Sequence, residues 1–208
     1  MNLFKVLLFS VLFSWIDSCF FIGKPCYCEN RNRIFLIILC LDHNNLVLLD
    51  SIHLTTNNPN VFVLNLDSNK IVKLGEDIFT NVTFIHQLSF NLNQITKLKS
   101  RIFAKITNLN VLDLNRNQLE ILENEYFVGL KKLTKLSLAS NKIEKIESKA
   151  FFDLENLKEL YLNNNKVKNL EQDLFINQLR LEILVFSHNE LEIISKDLFS
   201  SLKQLKSV

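Results

Sequence analysis

The residues best able to do chemistry are four cysteines, Cys19, Cys26, Cys28 and Cys40, gathered near the start of a 208-residue chain. Thiols clustered in this way either pair as disulfides or hold zinc. Cys26-x-Cys28 lacks the wider gap of a zinc knuckle, and no histidine is placed to complete a tetrahedral set. An even number of cysteines behind a secretory start argues for two disulfides, Cys19, Cys26, Cys28 and Cys40 all taking part, in an oxidising compartment. Spacing alone leaves three connectivities open. The secretory start is residues 1–18. Lys5 supplies the positive charge, Val6 to Ile16 is mostly apolar, and Ile16 and Ser18 suit the −3 and −1 positions of a cleavage site. That apolar run is shorter than the roughly 20 residues a bilayer core requires, so no membrane segment is expected in this chain.

Other reactive groups do not assemble. His43, His53, His86 and His188 are scattered, without H-x-x-x-H or H-E-x-x-H spacing. There is no glycine-rich phosphate loop and no nucleophile elbow. No enzyme, no cofactor and no metal site is expected. Asn81-Val82-Thr83 is the only glycosylation sequon, which makes Asn81 the candidate glycan site. A net charge of +2 with 22% charged residues gives no electrostatic case for nucleic acid or an acidic membrane surface. Only 3 Gly and 2 Pro occur, so no flexible linker divides the chain.

The elements that must position these residues follow from a fixed period. Leu64 to Ile71 recurs every 24 residues as Leu88 to Ile95, Leu112 to Leu119, Leu136 to Ile143, Leu160 to Val167 and Leu184 to Leu191. A period of this size marks a solenoid. Leu64 and Leu66, with their counterparts, alternate with polar residues, the signature of a short strand with one buried face. A phenylalanine column, Phe79, Phe103, Phe127, Phe151, Phe175 and Phe199, runs behind. One polar residue is as regular: Asn69, Asn93, Asn117, Asn141, Asn165 and Asn189. A buried amide has two donors and an acceptor, and leaving them unpaired is costly. An identical Asn in each unit can bond its neighbours' backbone, so the column reads as a structural ladder. One unit buries about seven apolar side chains, roughly 10–20 kcal/mol gross. Ordering its backbone costs about 24–48 kcal/mol. A lone unit therefore cannot fold, and stability has to come from stacking.

This pattern, L-x-x-L-x-L-x-x-N-x-L-x-x-L with a following Phe, resembles the extracellular leucine-rich repeat family. The resemblance covers residues 61–208 and implies an α/β-type solenoid: a right-handed leucine-rich repeat horseshoe, with a parallel concave β-sheet and a mostly irregular or short-helical convex side. Its kin include Toll-like receptor ectodomains, axon-guidance proteins and small leucine-rich proteoglycans. It implies a cysteine-rich cap over the first repeat, pairing first with third and second with fourth: Cys19–Cys28 and Cys26–Cys40. The expected divisions are a signal peptide at 1–18, a cap and first irregular repeat at 19–60, and six full repeats plus the start of a seventh at 61–208. Ile34 to Leu41 reads as a buried cap strand. One departure stands out. The apolar position three residues after the Phe is Gln178 in the fifth copy, with Leu179 beside it, and a local shift is expected there.

Repeat proteins commonly bind through the concave surface. The solvent-facing strand positions supply the candidate ligand-binding residues Asn65, Asp67, Asn91, Asp113, Asn115, Glu159, Tyr161 and Asn163. Tyr161 is the expected anchor, because interface hot spots favour Tyr, Trp and Arg. Asp67 and Asp113 sit two repeats apart on an open face, which does not make a general acid–base pair. The chain stops after Val208, just inside a strand. That points to a longer receptor, to a short secreted protein whose Phe199, Leu202 and Leu205 layer pairs with a partner or with itself, or to a product that folds poorly. The expected function is protein recognition, by a secreted or cell-surface module that takes a protein ligand or co-receptor. The alternative is a matrix component without a signalling role.

Overall fold

Leucines two residues apart make each strand, and the 24-residue spacing lays every strand beside the last. The computed structural model describes residues 61–207 except 77 and 80–83, together with short stretches of strand between residues 20 and 49. In chain order the strands are β1 (Phe20–Phe21), β2 (Lys24–Pro25), β3 (Tyr27–Arg31), β4 (Phe35–Leu39), β5 (Leu48–Leu49), β6 (Val61–Asn65) and β7 (Lys73–Leu74). They continue as β8 (Gln87–Ser89), β9 (Val111–Asp113), β10 (Ile121–Leu122), β11 (Lys135–Ser137), β12 (Lys145–Ile146), β13 (Glu159–Tyr161) and β14 (Ile183–Val185). The main sheet has eight strands in the order β3-β4-β6-β8-β9-β11-β13-β14. β3 and β4 pair antiparallel, and every other pair is parallel. The registers match the repeat: Leu64, Leu88, Leu112, Leu136, Leu160 and Leu184 are successive neighbours. β4 lies within the apolar run Ile34 to Leu41 and extends the sheet ahead of the first full repeat.

The inward leucines are sealed, each 0–1% exposed from Leu64 to Leu184. Behind them the phenylalanines stack, with centroids 5.8 Å apart from Phe79 to Phe103 and 6.1–6.4 Å apart from Phe103 to Phe199. Rings at that separation add aromatic contact to their buried area. Each turn leaves the strand through one residue at positive φ: Ser68, Leu92, Arg116, Ser140, Asn164 and His188. Only glycine adopts that conformation freely. Here it is held by the next residue, the repeated asparagine.

The return path is made of turns. Among the described residues no helix occurs there, so the convex side is irregular rather than short-helical. The reason lies in the hydrogen bonds. N–H groups reach three residues back, as Ala104 to Arg101 (3.0 Å) and Ile106 to Phe103 (3.0 Å), or across to the previous turn, as Glu147 to Leu122 (3.0 Å). Two small parallel pairs, β5 with β7 and β10 with β12, stitch adjacent turns on this side.

Gln178 brings no local shift. Its side chain is fully buried in the apolar column, and Leu179 points out, 57% exposed. The backbone repeats the bonds of the preceding turn: Gln178 N–H to Phe175 O, then Leu181 N–H to Gln178 O, as Leu154 to Phe151 and Leu157 to Leu154. Stacking on both sides fixes the turn more firmly than the side chain perturbs it. In the last turns, Leu202 is buried and Phe199 and Leu205 pack partly buried on the core. The exposed apolar residues nearby are Ile193 and Ile194 instead.

Candidate ligand-binding face

The asparagine column joins neighbouring turns from inside. Asn117 Nδ2 donates to Phe90 O of the previous turn (2.9 Å) and to Leu114 O of its own (3.2 Å). Its Oδ1 accepts from Ile95 N–H at 3.0 Å. Asn93, Asn141, Asn165 and Asn189 make the same set. Asn69 donates to Leu66 O. From Asn93 to Asn189 both ends of each amide are engaged, so none of these is left to face a ligand.

On the outward face, several candidate side chains are also committed to the backbone. Asn65 Oδ1 accepts from Asp67 N–H (2.8 Å), and Asp67 Oδ1 accepts from Asn91 N–H (2.8 Å) and from the Ser89 hydroxyl. Two repeats on, Asp113 Oδ1 accepts from Asn115 N–H (2.9 Å), and Asn115 Oδ1 accepts from Ala139 N–H (2.7 Å). Asn65–Asp67 and Asp113–Asn115 are therefore equivalent pairs, each tying the end of one strand to the next. Burial pushes the Asp113 carboxyl above the usual aspartate range, against the Asn115 N–H, with Asp67 adding a smaller push in the same direction. Asp113 ends β9 and Asp67 lies two residues beyond β6, with β8 between those strands.

Two of the remaining candidates, Glu159 and Tyr161, meet Lys135 at β11 and β13. Glu159 and Tyr161 point the same way from β13, and Lys135 is the in-register neighbour of Glu159 on β11. Lys135 Nζ lies 2.9 Å from Glu159 Oε2 and 5.0 Å from the centre of the Tyr161 ring. The Tyr161 hydroxyl donates to the same Glu159 oxygen at 3.1 Å. The ring therefore leans toward β11 over its register neighbour Ser137, which is only 5% exposed although it lies on the outward face. The Lys135 hydrogen bond holds Glu159 below the usual glutamate range, and Glu159 in return raises Lys135. Burial, then the bond to Glu159, raises Tyr161. Beyond the ring, half-buried Ile183 and Val185 on β14 supply apolar surface. Asn91 and Asn163 stand partly exposed on the next row.

Lys135 was absent from the candidates chosen by sequence. The signal for it was present, because Lys135 and Glu159 are 24 residues apart and so adjacent on the sheet. Cys19, Cys26, Cys40 and Asn81 lie outside the described residues, as does the Cys28 side chain, although β3 includes residue 28. The expected disulfides and glycan site fall there. Among the described residues no group of His, Cys, Asp and Glu is placed to hold a metal ion, and no helix is long and apolar enough to cross a membrane.

The parallel sheet, the asparagine ladder and the open sheet face define a solenoid of stacked repeats. The chain belongs to the leucine rich repeat family, which matches residues 59–119, 84–143, 107–167, 131–177 and 155–208. Among solved structures it is similar to a chain of the Toll–Spatzle complex, a hub of Drosophila development and innate immunity. The identity there is 29% and the TM-score 0.67, over 70% of this chain and 19% of that one. The glycosylated form of that complex gives 21% identity and a TM-score of 0.68, over 83% of this chain and 28% of the other. A chain of the TLR13–ssRNA13 complex gives 23% and 0.60, over 83% of this chain and 27% of that one. This chain thus spans under a third of each of these three chains. No curated protein matches.

Proposed function

We propose that this chain is part of a secreted or cell-surface recognition protein, a receptor or adhesion ectodomain, that binds a protein ligand through the concave patch of β11, β13 and β14. The observation that carries this reading is the grouping of Tyr161, Lys135, Glu159 and Val185 on a rigid sheet face. Elsewhere on that face Asn65, Asp67, Asp113 and Asn115 are spent on the backbone. Rigid aromatic surface beside charge is what interface hot spots use. The likeness to a chain of the Toll–Spatzle complex supports a protein ligand. The TLR13–ssRNA13 likeness is one of fold. Here Asp67, Asp113 and Glu159 oppose Lys135 on the outward rows, an excess of acid that disfavours a phosphate backbone. Residues 1–18 are assigned to a cleaved signal, Cys19–Cys28 and Cys26–Cys40 to the cap, and Asn81 to a glycan.

The test is an array of secreted proteins probed with the wild-type chain, Tyr161→Ala and the convex control Glu171→Ala. A partner held by wild type and the control, but weakened at least tenfold by Tyr161→Ala, supports the reading. A partner held equally by all three contradicts it. N-terminal sequencing and non-reducing peptide maps of secreted material check the start and the disulfides. An intact Met1 or free thiols would contradict those assignments.

A further inference from the structure

The Lys135, Glu159 and Tyr161 cluster is a cation site that the chain fills with its own lysine. The ammonium sits against a carboxylate and over an aromatic face, at 2.9 Å and 5.0 Å. The tyrosine hydroxyl braces the same carboxylate oxygen. We propose that this cage takes an arginine side chain of the protein ligand, which displaces Lys135 from Glu159. The proposal rests on the concave-face reading above and specifies the chemistry of its partner.

Three features favour the exchange. First, the resident pair is weakly held. Its side chains are 41% and 34% exposed, and exposed pairs are screened by solvent. Second, a guanidinium matches the cage better than an ammonium. It offers a carboxylate two parallel N–H donors and lies flat on an aromatic ring. Third, the displaced lysine has somewhere to go. Asp113 is the register neighbour of Ser137, one strand over from Lys135 and two residues along. Its carboxylate accepts the Asn115 N–H and, among the described residues, forms no ion pair. Lys135 moving from Glu159 to Asp113 leaves both carboxylates paired once the arginine has entered. The result is an exchange of partners near the β14 end of the sheet, with Ile183 and Val185 beside it to receive the ligand's neighbouring apolar groups.

The experiment uses the whole chain, labelled for NMR at tyrosine rings and glutamate carboxyls, titrated with N-acetyl-arginine amide. N-acetyl-glutamine amide is the uncharged control. Saturable shifts at Tyr161 and Glu159 are expected with arginine and not with glutamine. Lys135→Met removes the competitor and should tighten arginine binding by roughly two- to fivefold, the scale of one exposed ion pair. Asp113→Asn removes the receiving carboxylate and should weaken binding by a similar factor. Lys135→Gln serves as a second variant if the methionine disturbs folding, judged by circular dichroism. Equal shifts with glutamine, or no tightening in either Lys135 variant, would overturn the proposal. The array result is independent of this one. A partner lost with Tyr161→Ala, alongside silent arginine titrations, sinks the cage and leaves the concave reading standing.

Discussion

Asn117 shows how one side chain serves the stack. It bonds a carbonyl of the previous turn, a carbonyl of its own and an N–H between them. Asn117→Leu leaves the Ile95 N–H buried without its acceptor, which costs about 1–3 kcal/mol, while Phe90 O keeps Asn93 Nδ2 and Leu114 O keeps Asn141 Nδ2. Urea denaturation should show that loss, whereas a change of a few tenths would remove the ladder's energetic role. Charge is read at the same scale. Burial raises Asp113, so the folded chain binds that proton more tightly than the unfolded chain and the ionised group costs stability at neutral pH. Asp113→Asn, which keeps the acceptor for Asn115 N–H, should be more stable than wild type at pH 7, with the difference closing below about pH 4. Glu159 has the opposite sign. Lys135 depresses it, so its contribution is present above the usual glutamate range and lost as pH falls through the lower folded value. Glu159→Gln should therefore lose stability at pH 7, with the loss shrinking as pH falls below the usual glutamate range. Melts of both variants across that range check the two signs together.

At the scale of the element, the turn around Gln178 separates what spacing reveals from what it hides. The apolar columns name the buried residues because a fixed period puts each on the same side of every turn. Gln178 interrupts a column, and local chemistry alone suggests that Leu179 takes its place. The neighbouring turns decide otherwise. Gln178 Nε2 donates to Phe151 O at 2.6 Å, while its Oε1 is buried without a partner. Gln178→Leu should stabilise the chain by about 1–2 kcal/mol, since a buried unpaired acceptor disappears and Phe151 O keeps the Leu154 N–H. A lower melting temperature would contradict that. The strand face divides in the same way. Alternation shows which side chains point outward. It does not show that Asn65, Asp67, Asp113 and Asn115 bond the backbone of the strand ends. That depends on the turn geometry behind the positive-φ residues Ser68 and Arg116.

For the whole molecule, stacking makes the sheet one rigid surface and concentrates the uncommitted chemistry toward β11, β13 and β14. The repeat, the parallel order and the concave face were legible because each is a consequence of period. The 24-residue spacing also places Lys135 beside Glu159, but the cage was not legible, because the lean of the Tyr161 ring toward Lys135 and its bond to Glu159 depend on side-chain conformation. A competing surface exists on the turns, where Phe152, Ile176 and Leu179 are exposed. Hydroxyl-radical footprinting of the chain bound to its captured partner distinguishes the two. Recognition through the concave sheet predicts protection of Tyr161, Ile183 and Val185, with Phe152, Ile176 and Leu179 still oxidised. Protection of Phe152, Ile176 and Leu179, with Tyr161 left reactive, would contradict it.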